Sequence, residues 1–179
     1  MEQSLRAKER GSEESAGIED GGKMETAVKL KELIGEMELG SEEGTSYWNR
    51  KTGEFVFITD EMMEAAEEGT PPEDFPDWMR EPIAVAGDIL QHEADYVVLP
   101  SKFDINEYRI MEAFCSLPRE AGISETLLRD IKGRGAFGRF KDRIHELGIE
   151  DDWYKFKEEA LKKIAVEWCE ENQLTYIDE

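Results

Sequence analysis

The sequence predicts an α+β fold: a small antiparallel sheet, a hairpin plus a third strand, with mostly C-terminal helices packed around it. Three observations predict it. Two aromatic and β-branched runs, Ser46-Tyr47-Trp48-Asn49 and Glu54-Phe55-Val56-Phe57-Ile58, flank the turn Arg50-Lys51-Thr52-Gly53, which is a hairpin signal. Asp95-Tyr96-Val97-Val98-Leu99, stopped by Pro100, supplies a third strand. Beyond it, apolar residues recur at helical spacing through most of the C-terminal half.

Ahead of the hairpin, Leu30, Leu33, Ile34 and Met37 share one helical face, and Gly40 is expected to close that helix in a left-handed cap. After it, Asp60 is expected to cap a short helix over Glu61 to Glu68, ended by Gly69. Three prolines make Thr70 to Pro76 a loop. Trp78 to Gln91 reads as a helix with Ile83, Val85, Ala86, Ile89 and Leu90 as its apolar positions. The third strand is apolar on both faces and is expected to be central or well covered.

Four helices follow. Asp104 with Glu107 resembles a capping box ahead of Tyr108, Met111, Phe114 and Cys115. Ser124 starts a helix carrying Leu127, Leu128 and Ile131, and Phe137, Phe140, Ile144 and Leu147 form the stripe of the next, closed by Gly148. Asp151 or Asp152 is expected to cap the last, whose apolar face holds Trp153, Phe156, Leu161, Ile164, Ala165 and Trp168. These aromatics read as core; Trp48 and Trp78 leave burial and half-exposure open. The acidic run from Asp60 to Glu81 reads as solvated surface.

At 179 residues the length allows one domain plus a tail. Residues 1–23 hold only Leu5 and Ile18 as large apolar groups, and read as a disordered tail or a mis-called start with Met24 as the true one. Residues 24–173 are expected to form a single α+β domain, and 174–179 a short strand or tail. No apolar run approaches membrane-spanning length and no signal peptide is legible, so the cytoplasm is the expected location. Cys115 and Cys169 fall in helical patterns outside any CxxC pair, so they read as packed thiols. His92 and His145 have no partner at helical spacing. No metal and no cofactor is expected.

Charge marks the candidate site. The chain carries −21, yet Arg129 to Arg143 holds six basic residues against two aspartates. A reversal of sign that strong is the footprint of a contact surface for an anion. The candidate residues are Arg129, Lys132, Gly133, Arg134, Gly135, Arg139, Lys141 and Arg143. Glycines before a helix expose backbone N–H groups, and the guanidinium and ammonium groups add charge. The GK[ST] ending of a phosphate-binding loop is missing, and the competing reading is a plain turn with charge-balancing cations.

Several of these segments resemble the uncharacterised bacterial protein family UPF-0158. The likeness rests on Val28 to Ile34, Tyr47-Trp48-Asn49 with Thr52-Gly53-Glu54, Leu99-Pro100, Phe103 to Met111, Gly133-Arg134-Gly135-Ala136-Phe137 with Arg139 to Asp142, Trp153 to Phe156, and Trp168. The resemblance implies a shared domain and brings no catalytic residues. The sequence therefore points to a non-enzymatic interaction module whose basic surface meets an acidic protein or a phosphate-bearing ligand. Its alternative is an enzyme acting on an anionic small molecule held at the Gly133–Gly135 turn. The overall negative charge disfavours nucleic acid, and membrane binding is not expected.

Overall fold

Alternation along the hairpin decides the layering. The computed structural model describes residues 26–120 and 122–178, so the expectation for residues 1–23 lies outside the described residues. Strands β2 (Gly44–Asn49) and β3 (Glu54–Thr59) pair antiparallel, and β4 (Tyr96–Val98) pairs antiparallel with the other edge of β2. Gly53 closes the hairpin at φ +71°, a left-handed conformation that glycine adopts freely. Trp48 lies opposite Phe55 and Val97 on one face; Tyr47 and Val56 lie on the other.

Each face buries its own core. Trp48 and Val97 join apolar residues of β1 (Val28–Lys29), α1 (Leu30–Leu39), α4 (Lys102–Ile105), α5 (Glu107–Cys115), α6 (Ile123–Asp130), α7 (Ala136–Glu146) and α8 (Glu150–Glu171). Ile58 joins Met62 and Ala65 of α2 (Asp60–Glu67) and Met79, Ile83, Ala86 and Ile89 of α3 (Asp77–Gln91), with Tyr47, Val56 and Tyr96 against them. The three-stranded sheet thus has helices on both faces, and its antiparallel pairing makes the fold α+β. The chain's end forms β5 (Tyr176–Ile177), which runs parallel to β1, a pairing that no sequence signal announced.

Several local expectations are corrected. The strand order is β3-β2-β4, so the third strand is an edge strand, and Val98 is 54% exposed. Val97 and Leu99 reach one core and Tyr96 packs against the other, but Val98 is left at the open edge. Gly40 has φ −39° and is not a left-handed cap. The Thr59 hydroxyl caps α2 by accepting from the Met62 N–H, which leaves Asp60 inside the first turn. Ser101 and Asp104 form a capping box on α4, and Asn106, at φ +46°, caps α5. Ile149 stands at the start of α8, with Asp151 and Asp152 in its first turn. Trp48 is buried, whereas Trp78 is 69% exposed.

Candidate functional site

Between α6 and α7 the chain turns through Gly133 (φ +76°) and Gly135 (φ +77°), both left-handed. Such a turn leaves the last carbonyls of α6 without helical partners. Arg139, one turn into α7, bonds the Asp130 carbonyl that ends α6 and two carbonyls of the turn, those of Lys132 and Arg134. Its Nε donates to the Asp130 carbonyl at 2.8 Å, Nη1 to the Arg134 carbonyl at 2.7 Å and Nη2 to the Lys132 carbonyl at 2.7 Å. A planar guanidinium suits this fork of three acceptors, and its charge opposes the negative end of α6. The approach is close: a Cβ built on Gly135 would stand 3.1 Å from Nη1.

Arg143 is also engaged inside the chain. Its Nε donates to Asp130 Oδ2 at 2.8 Å and its Nη1 to Glu146 Oε2 at 2.5 Å. The Asp130 hydrogen bond, then the Glu146 charge, raises its pKa. Arg129 reaches Asp130 only at 4.0 Å and is mostly exposed, so that contact contributes little. Lys132, Arg134 and Lys141 are exposed and form no ion pair among the described residues.

The eight sequence candidates therefore separate. Arg139 and Arg143 hold the turn, Gly133 and Gly135 permit it, and Lys132, Arg134 and Lys141 remain outward with Arg129 at their border. The stripe of α7 separates too. Phe140 is 1% exposed and packs edge-on against Trp153 (centroids 4.8 Å apart) and Phe114 (5.9 Å). Phe137 is 39% exposed, and Leu147 is exposed as well, which corrects their place in the core stripe. Phe137 lies four residues before Lys141 on α7, a spacing that makes the two neighbours on the helix surface, and Arg134 stands in the turn just ahead.

Several other titratable groups are engaged within the chain. Asp88 accepts from the Tyr96 hydroxyl at 2.6 Å on Oδ2 and meets His92 Nδ1 at 2.9 Å on Oδ1. The Tyr96 bond chiefly lowers the Asp88 pKa, while burial and then Asp88 push Tyr96 up to about 12. His145 meets Glu150 at 3.0 Å. Cys115 and Cys169 are buried and free, and burial pushes both thiols up to about 11, which disfavours the reactive thiolate. Among the described residues, no three His, Cys, Asp or Glu side chains gather as metal ligands, and no helix is long and apolar enough to cross a membrane.

Clefts gather along Val98–Glu107, on either side of α4. Sequence reasoning passed over this region because its exposed Phe103 sat in what looked like a helix start.

The model of the uncharacterised protein family UPF0158 matches residues 81–179, more than half of the chain. The matched stretch takes in α4 to α8 and the whole Arg129–Arg143 region, while the hairpin lies outside it. No curated protein matches, and no solved structure matches.

Proposed function

The chain belongs to the uncharacterised protein family UPF0158, and we propose that it is a non-enzymatic, cytoplasmic binding module for an anionic partner. Lys132, Arg134 and Lys141 make the charged contacts, and Phe137 supplies apolar contact area between them. One observation carries this reading: three exposed cations, without ion pairs among the described residues, lie within five residues of an exposed aromatic ring along the sequence, in a chain of net charge −21.

The physics favours an acidic protein segment or a phosphate-bearing group. Cations that are not neutralised within the molecule keep their field for a partner. An exposed ring close in sequence to these cations gives the contact an apolar centre, where charge pairs gain strength. Long polyanions such as RNA are repelled by the rest of the surface, which sets them behind compact acidic partners.

The test is charge reversal confined to the outward groups. The variant K132E/R134E/K141E leaves Arg139 and Arg143 in place, so the turn keeps its internal bonds. We expect it to fold with an unchanged helical signal and to lose the partner that the unaltered protein captures, as identified by mass spectrometry. A folded variant that still captures that partner overturns the reading.

A further inference from the structure

We propose that the cleft between edge strand β4 and helix α8 is a second docking site, which takes a cationic, extended segment of a partner protein. The site is separate from the basic turn and does not rest on the function proposed above.

The cleft has about 370 Å³ of space. Val98, Pro100 and Trp168 give it an apolar lining, and Asp104, Glu167 and Glu171 line it with carboxylates. Among the described residues, no lysine or arginine lines it. The Trp168 indole N–H donates to the Val98 carbonyl at 2.8 Å, which fixes the ring and ties α8 to the sheet edge. Val98 stays 54% exposed although its neighbours Val97 and Leu99 are buried.

Its negative charge is only weakly answered within the chain. Glu171 makes no ion pair among the described residues, and Glu167 reaches Lys163 only at 3.8 Å with both side chains exposed. Asp104 Oδ2 accepts from the Ser101 N–H at 2.9 Å and hydroxyl at 2.6 Å, which keeps that carboxylate ionised. Arg50 approaches the end of the cleft but donates to the Asn172 carbonyl at 2.9 Å. Three carboxylates without a lining cation complement lysine or arginine side chains.

The shape favours an extended segment. The cleft runs alongside the outer strand β4, whose Val98 carbonyl and Tyr96 N–H are already bonded to Trp168 and Glu93, so an extended segment is held there by its side chains and not by strand pairing. Next in sequence to the lining Asp104, Phe103 is 90% exposed on α4, a helix fixed by its Ser101–Asp104 box and by Asn106. A rigid exposed ring adds contact area, and a guanidinium over it gains cation–π attraction.

The experiment measures fluorescence anisotropy of a labelled peptide alternating arginine and valine against the full chain. E167Q/E171Q is expected to weaken binding about tenfold. E61Q/E64Q/E67Q on α2, which removes as many or more charges elsewhere, is expected to change it less than about twofold. K132E/R134E/K141E is expected not to weaken it, which separates this site from the basic turn. Equal weakening by the α2 and α8 variants, or no weakening by either, overturns the proposal. Sedimentation velocity tests the remaining occupant: a dimer that E167Q/E171Q dissolves makes a second copy the ligand and overturns the choice of a foreign segment.

Discussion

Replacing Phe140 and Phe137 by alanine, one at a time, separates core from surface on a single helix. Phe140 is 1% exposed, so truncation removes roughly 100 Å² of buried apolar surface, about 2.5 kcal/mol at about 25 cal/mol per Å². Its edge-on contacts with Trp153 and Phe114 add about 0.5–1.5 kcal/mol each. The expected cost is therefore about 4 kcal/mol, within the usual range for a buried phenylalanine. In a chain of this size that lowers the melting temperature by roughly 8–16 °C. Phe137 is 39% exposed and makes none of these ring contacts, so Phe137→Ala should cost below about 1.5 kcal/mol. Urea unfolding followed by circular dichroism reads both, and avoids the fluorescence change expected when Trp153 loses a neighbour. A Phe140→Ala cost below about 1.5 kcal/mol, or equal costs for the two variants, would refute the assignment of faces. It would also remove the argument that Phe137 is available to a partner.

Arg139→Ala should destabilise the protein by about 1.5 kcal/mol, three solvent-accessible hydrogen bonds at the low end of their range. Arg139→Lys should not restore the loss, because one ammonium lacks the fork that meets three carbonyls; unchanged unfolding in both variants would contradict the clamp. At mildly alkaline pH a thiol reagent should find Cys115 and Cys169 unreactive in the folded chain and both reactive after urea; fast reaction in the native state would count against their burial. Tyr96 is neutral in its bond to Asp88 and its pKa is raised from 10.0 to about 12. Its stabilising contribution is thus fully present below pH 10 and is lost as pH rises through about 12, a loss that the Tyr96→Phe variant should lack. Matching alkaline unfolding curves for the two proteins would dismiss that bond as a stabilising one.

The elements with strong periodicity were legible in the sequence, since period two around a Gly-ended turn and the spacing of Leu30, Leu33 and Met37 leave few alternatives. What periodicity does not carry was lost. Phe137 and Phe140 differ by three positions on one stripe, and only the long-range packing of α7 decides which ring reaches Trp153 and Phe114. The edge position of β4 depends on which side of β2 it joins, a long-range choice that local pattern leaves open. Caps shifted by a few residues because Ser101, Asp104, Asn106 and Glu107 offer several competing starts within one short stretch. The basic region was legible as charge but not as roles. Arg139 binds backbone carbonyls, acceptors that every residue owns and no side-chain pattern reveals. A left-handed glycine turn followed by an arginine four residues on is the signal that points to such a clamp.

The central claim, that Lys132, Arg134, Phe137 and Lys141 form the contact surface, is tested most directly by amide chemical shifts. The measurement is an NMR titration of the full chain with a labelled-free peptide of glutamates flanking one tyrosine. The largest shifts are expected to cluster over residues 132–141 and to vanish in K132E/R134E/K141E. Shifts scattered over the surface, or centred elsewhere and kept by that variant, would contradict it.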